Sequence, residues 1–228
     1  MSRSISYRIP ENWIREYLEP RYPELVSPFR EAATITEAAL RTQQLNESDL
    51  ATLLSYATSS RAVLSDNVGD MLGKLANLFP AAQQALETMA QSKKVEERIQ
   101  ALLSALHLPP SPFHKRMYST ALKDRSKKVR SIAAQNIRTQ AMAVLLPELA
   151  AAVDNESDQD TRQHLRFCQA LLEHGYWLET KTPKTVQVTY CRNSAIASRT
   201  FSTEQFEVEG KTWLEQQAAE WKKRWYLS

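Results

Sequence analysis

Glycine is scarce in this chain, with four in 228 residues. Turn-dense all-β folds and phosphate-cradling loops both need glycine where the backbone takes a positive φ or approaches a ligand closely, so both are disfavoured and helices are favoured. Cysteine is almost as rare. Cys168 and Cys191 are the two present, too few for a disulfide framework or an all-thiolate structural zinc site. No apolar run is long. Ala141–Val153 is interrupted by Pro147 and Glu148 and falls short of the roughly 20 residues that cross a bilayer. The first twenty residues lack the apolar stretch of an export signal, so the expected setting is the cytoplasm, with both thiols reduced. A net charge of +3 is too small by itself to imply nucleic acid.

Signatures of catalysis are missing too. There is no P-loop, GxGxxG, GxSxG or HExxH. Gly69 and Gly73 form a GxxxG, expected to let two helices approach closely. His164 and Cys168 stand four apart, on one helical face, and are of metal-ligand type. No further Cys–His cluster joins them, and Cys168 falls on an apolar stripe, so it is expected as a small core residue. Asp154, Glu156, Asp158 and Asp160 alternate as in a calcium loop, but the glycine at the sixth position and the glutamate at the twelfth are missing. A solvated acidic turn facing a helix N-terminus is expected instead. No nucleophile with its base and no acid–base pair is recognisable. No catalytic residue, cofactor or metal is therefore expected.

What the chain does have is periodicity. "SKKV" occurs at Ser92–Val95 and again at Ser126–Val129. After the first, Ile99, Leu102, Leu103 and Leu106 follow helical spacing; after the second, Ile132, Ala133 and Ile137 do. Similar stripes start at Leu64 and at Thr161, so four amphipathic helices recur at 31–34 residues. A serine precedes each start, at Ser60, Ser92, Ser126 and Ser157, and is expected as the N-cap. Shorter helices are expected before each, at Leu50–Tyr56, Ala81–Met89, Phe113–Leu122 and Leu145–Val153. A two-helix unit at this period is the pattern of an α-solenoid. Leu122, Asp124, Val129, Arg130, Ala133 and Ile137 resemble the HEAT-repeat consensus. Val153, Asp154 and Arg162 resemble it in the next unit; in the preceding one Val95 is kept, while Glu96 stands where the arginine is expected.

The expected fold is therefore all-α: about four HEAT-like hairpins over 47–178, a helical N-terminal cap over 1–46, and a C-terminal extension over 179–228. In the cap, Trp13, Tyr17 and Leu18 suit a short helix, and 30–44 a second. In the extension, 185–191 and 195–201 alternate as a β-hairpin. A helix with Trp213, Leu214, Gln217, Trp221 and Trp225 near one face follows, its rings expected to cap the last hairpin or, alternatively, to offer a partner surface such as that of a dimer.

Charge is uneven. Residues 1–90 carry net −3, 91–147 net +8, 148–179 net −5 and 180–228 net +3. Lys127, Lys128, Arg130 and Arg138 are expected to face outward from a second helix, joined by Lys115, Arg116, Lys123 and Arg125. Lys94, Arg162 and Arg166 extend the set of partner-contact candidates. Arg130 also has a scaffold reading, pairing with Asp124 or Asp154, whereas Lys127 and Lys128 sit unfavourably at a helix N-terminus and point to an external anion. The resemblance to short HEAT proteins implies a non-enzymatic scaffold for a protein partner with an acidic surface, such as an immunity protein that neutralises a toxin. The alternative it implies is a DNA-binding HEAT-like protein, an alkylpurine DNA glycosylase among them, with a basic concave groove. No membrane partner is expected.

Overall fold

The computed structural model describes residues 11–106, 108, 111–192 and 195–225; the side chains at 191, 192, 195, 218 and 220–225 are not described. His107 and the side chains of Cys191, Trp221 and Trp225 thus lie outside the described residues. The chain is mostly helical, with a small antiparallel sheet near its C-terminus. No described helix is long and apolar enough to cross a membrane. Two compact units are present, Met1–Met117 and Tyr118–Ser228.

In the first unit, helical turns over 11–21 lead into a helix Pro23–Thr42. It begins well before residue 30, where the sequence pattern starts, because Pro23 occupies the first helical turn, where its missing N–H costs nothing. Pro28 lies inside the same helix. Trp13 stacks on Tyr17 and packs against Phe29, with ring centroids 5.4 and 5.1 Å apart. The hairpins Glu47–Ala57 with Ala62–Ala76, and Pro80–Ala90 with Val95–Ala105, follow. Asn46 caps the first of these helices by accepting the Asp49 N–H at 2.8 Å.

The helix Ala62–Ala76 packs on Pro23–Thr42 on one side and on Val95–Ala105 on the other. The GxxxG reading holds here. A Cβ on Gly69 would overlap the Gln100 amide, and one on Gly73 would overlap the Ser104 backbone carbonyl. The close approach lets Gln100 Nε2 donate to the Ser65 carbonyl at 3.1 Å.

The second unit contains Lys127–Thr139, Leu146–Asn155 and Gln159–His174. The first and last of these pack on each other, and Leu146–Asn155 packs on Gln159–His174. Gly175 ends the last helix in the left-handed region, φ 84°, and its N–H reaches the Leu171 carbonyl at 2.9 Å. The chain then forms β1 Tyr176–Thr182, β2 Thr185–Arg192 and β3 Ala195–Ser202, in the order β1-β2-β3. The expected hairpin is β2–β3; β1 adds a strand in a stretch that had no clear alternation. Val188, Phe201, Phe206 and Leu214 make a separate core under this sheet, and Trp213 meets Tyr190 and Phe201 at 5.4 and 5.6 Å. Trp213 thus packs against the sheet. It is Trp177 that reaches the last helix, edge-on to Phe167 at 6.1 Å.

Of the expected serine caps Ser126 alone stands at the N-cap, without a capping bond from its hydroxyl, and the other three are corrected. The N-caps of the four second helices are Arg61, Lys94, Ser126 and Asp158, and only Asp158 caps with its side chain, accepting the Thr161 N–H at 3.0 Å. The Ser92 hydroxyl instead donates to Glu97 at 2.5 Å. Before the last three of these helices a loop carbonyl is bonded by an arginine. Arg98 reaches the Ser92 carbonyl at 2.9 Å, Arg130 the Asp124 carbonyl at 2.7 Å, and Arg162 the Glu156 carbonyl at 2.7 Å. Each spans six residues back, and the arginines are 32 apart.

Candidate partner-binding surface

Arg130 sits at the fourth position of the helix Lys127–Thr139, on the side turned toward the loop after Leu146–Asn155. Its Nε and Nη2 each donate to a Glu156 carboxylate oxygen at 2.7 Å, a two-pronged pair that suits the planar guanidinium. The Glu156 side chain is 1% exposed and that of Arg130 18%. Burial pulls the Glu156 carboxyl upward, but the Asp158 and Ser157 backbone N–H groups and the Arg130 guanidinium outweigh it, and its pKa lies below the ordinary value. The scaffold reading of Arg130 therefore stands with a different partner, neither Asp154 nor the Asp124 carboxylate. The expected solvated acidic turn is solvated only in part, because Glu156 is inside it.

Lys127 faces outward as expected, but it has a counter-charge within the chain. Its Nζ reaches Asp158 Oδ2 at 2.7 Å. Hydrogen bonds from Lys127 and from the Thr161 N–H and hydroxyl hold the Asp158 carboxyl far below the usual carboxylate range. The cation at one helix N-terminus is thus neutralised by the N-cap of the next, 31 residues on. Arg162 is engaged with the Glu156 carbonyl through Nε and Nη2. Arg138 is half-buried on the seam with Gln159–His174, its Nε without a partner and its Nη2 only 3.4 Å from the Thr139 hydroxyl.

In the first unit Lys94 pairs with Glu97 at 2.8 Å and Arg116 with Glu87 at 3.0 Å. Lys115, and in the second unit Lys123, Lys128 and Arg166, are exposed and make no ion pair among the described residues. An open groove of about 400 Å³ lies beside Lys123. The Arg130–Glu156 pair lines it, together with Asp124, Glu148, Asn155 and Ser157. Leu122, Ala151 and Ala152 complete the lining, which thus carries both signs of charge beside apolar groups.

His164 lies in the same helix pair. Its ring bonds the Ser131 backbone carbonyl, and its Nε2 is 3.7 Å from Cys168 Sγ. Cys168 is fully buried, as expected for a core residue. Among the described residues no group of three His, Cys, Asp or Glu side chains is arranged to hold a metal ion. Burial pushes the His164 pKa below its ordinary value; the Ser131 carbonyl opposes this and the Arg138 charge adds to it. The unfolded chain then binds the extra proton more readily, so stability rises with pH through the window just below about 6.5. His164→Gln is expected to flatten that slope, read as the melting temperature at successive pH values between about 5 and 7.

The arginine ladder is what sequence reasoning missed, and the equal spacing of Arg98, Arg130 and Arg162 was the signal for it. No family model, curated protein or solved structure matches the chain.

Proposed function

We propose that this chain is a non-enzymatic protein-binding scaffold, an α-solenoid of HEAT-like hairpins that acts by covering a partner protein, as a toxin-neutralising immunity protein does. The observation that carries this reading is the fate of the cations. Of the eleven candidates, Lys94, Arg116, Lys127 and Arg130 are paired with carboxylates and Arg162 with a carbonyl. A phosphate-tracking surface keeps its cations available and its carboxylates away. Here Glu148, Glu156 and Asp158 stand among them. Mixed charge of this kind steers and registers a protein partner whose own charges alternate. The exposed Lys123 and Lys128 supply the cationic contacts.

The test is capture of a partner from the native host, followed by rebinding of the purified pair. Lys123→Glu with Lys128→Glu is expected to weaken that rebinding by about tenfold or more, mostly through slower association, with melting unchanged because both side chains are exposed. Retained affinity in the double variant would remove these lysines from the interface. No protein partner, together with duplex binding that weakens steeply with salt, would replace the scaffold reading with the DNA-binding one.

A further inference from the structure

We propose that the outer edge of β3 is where a second copy of this chain adds its own β3, antiparallel, to make a continuous six-stranded sheet. The two edges of the sheet differ in how they meet solvent. β1 carries the usual deterrents to pairing. Glu179 and Lys181 project from it as an ion pair at 2.7 Å, and its register with β2 slips between Thr180 and Thr182. β3 has neither. It is eight residues long, pairs with β2 without interruption over that length, and contains no proline. Its one charge, Arg199, is held on the face shared with Phe201, the guanidinium 4.6 Å from the Phe201 ring and 5.1 Å from Trp213. Among the described residues no other strand pairs with it.

The sequence of β3 also fits itself. Directly opposed residues in an antiparallel pair lie on the same face, so self-pairing must match positions of like parity. Ile196, Ser198 and Thr200 form the face away from the Phe201 core, and Ile196 is 47% exposed there. A two-fold axis through Ser198 sets Ile196 against Thr200 on that face and Ala197 against Arg199 on the other. Each larger side chain then meets a smaller one. An axis through Arg199 would set two guanidinium groups opposite each other, which like-charge repulsion disfavours. Between these two registers, charge and size favour the one centred on Ser198, in which the strand is complementary to itself. A single shared edge buries less than a standard interface, so the dimer is expected to be weak and concentration-dependent, with Kd on the order of 10 µM.

Sedimentation of the whole chain, raised to about 100 µM, is expected to show a dimer that dissociates on dilution. Ser198→Lys places two ammonium groups on the axis and is expected to leave a monomer. Ser198 is exposed and gives up only its 3.2 Å contact with the Thr189 hydroxyl, so an unchanged melting curve shows that the sheet is intact. Ser198→Cys is expected to cross-link under mild oxidant far more than the native chain or Glu204→Cys under the same conditions. A native chain that stays monomeric at this concentration, a Ser198→Lys variant that still dimerises, or a Ser198→Cys variant that cross-links no better than the controls overturns the proposal. Binding of a different protein's strand at a monomeric β3 edge overturns it equally.

Discussion

Glu156→Ala is expected to destabilise the second unit by about 3–5 kcal/mol, read as a drop in the denaturant midpoint. The cost does not come from the strength of the pair alone. Arg130 is largely buried with two of its donors on that carboxylate, and removing the acid leaves a buried cation without a counter-charge. Two backbone N–H groups lose their acceptor as well, those of Ser157 and Asp158. Combining Glu156→Leu with Arg130→Met removes both charges, so the double variant is expected to be markedly more stable than Glu156→Ala. If the single and double variants are equally unstable, the pair is not what holds this seam. Acid acts on the same group. Because the folded-state pKa of Glu156 lies below its ordinary value, its contribution is fully present above about pH 4.5 and is lost as pH falls through the folded value.

The helices were legible because amphipathic spacing is local. The stripes that begin near Leu64, Val95, Val129 and Thr161 coincide with Ala62–Ala76, Val95–Ala105, Lys127–Thr139 and Gln159–His174. The register between them was not, and "SKKV" shows why. The two copies lie 34 residues apart and look like equivalent positions. The N-caps Lys94, Ser126 and Asp158 and the arginines Arg98, Arg130 and Arg162 instead recur every 32. Four identical letters outweighed one arginine, although the arginine makes the bond that closes the loop. This misalignment set Glu96 at the arginine's place and hid Arg98, which is 4% exposed.

The candidate site was less legible, for a related reason. Lys127 and Asp158 are paired across 31 residues and Arg130 and Glu156 across 26. Whether such groups meet depends on how one hairpin packs against the next, which local spacing does not encode. A cation that looks unemployed in sequence is therefore a weak sign of a ligand until its neighbours in space are known. Lys128 survives that test and Lys127 does not. The third strand was hidden differently. β1 has a half-covered, half-exposed pattern, and the usable cue was Gly175, whose left-handed conformation ends the helix just before it.

Gly73→Ala is expected to cost about 3 kcal/mol, and more than Gly69→Ala. Both glycines face the helix Val95–Ala105, but what a new methyl group would meet is different. At Gly73 it is the backbone carbonyl of Ser104, which can retreat only by moving the helix that carries it. At Gly69 it is the end of the Gln100 side chain and the Ser104 hydroxyl. These can rotate away, at the expense of the Gln100 bond to the Ser65 carbonyl, so a loss of about 1–2 kcal/mol is expected there. Separation of the two helices at Gly73 also loosens Met71, Leu72 and Leu75, which are among the largest fully buried side chains. Hydrogen exchange is the measurement that localises the effect. Faster exchange in Ala62–Ala76 and Val95–Ala105, with the second unit's helices unchanged, is the expected result. An alanine at 73 tolerated as well as one at 69 would mean that the close approach of these two helices is not a constraint on the fold.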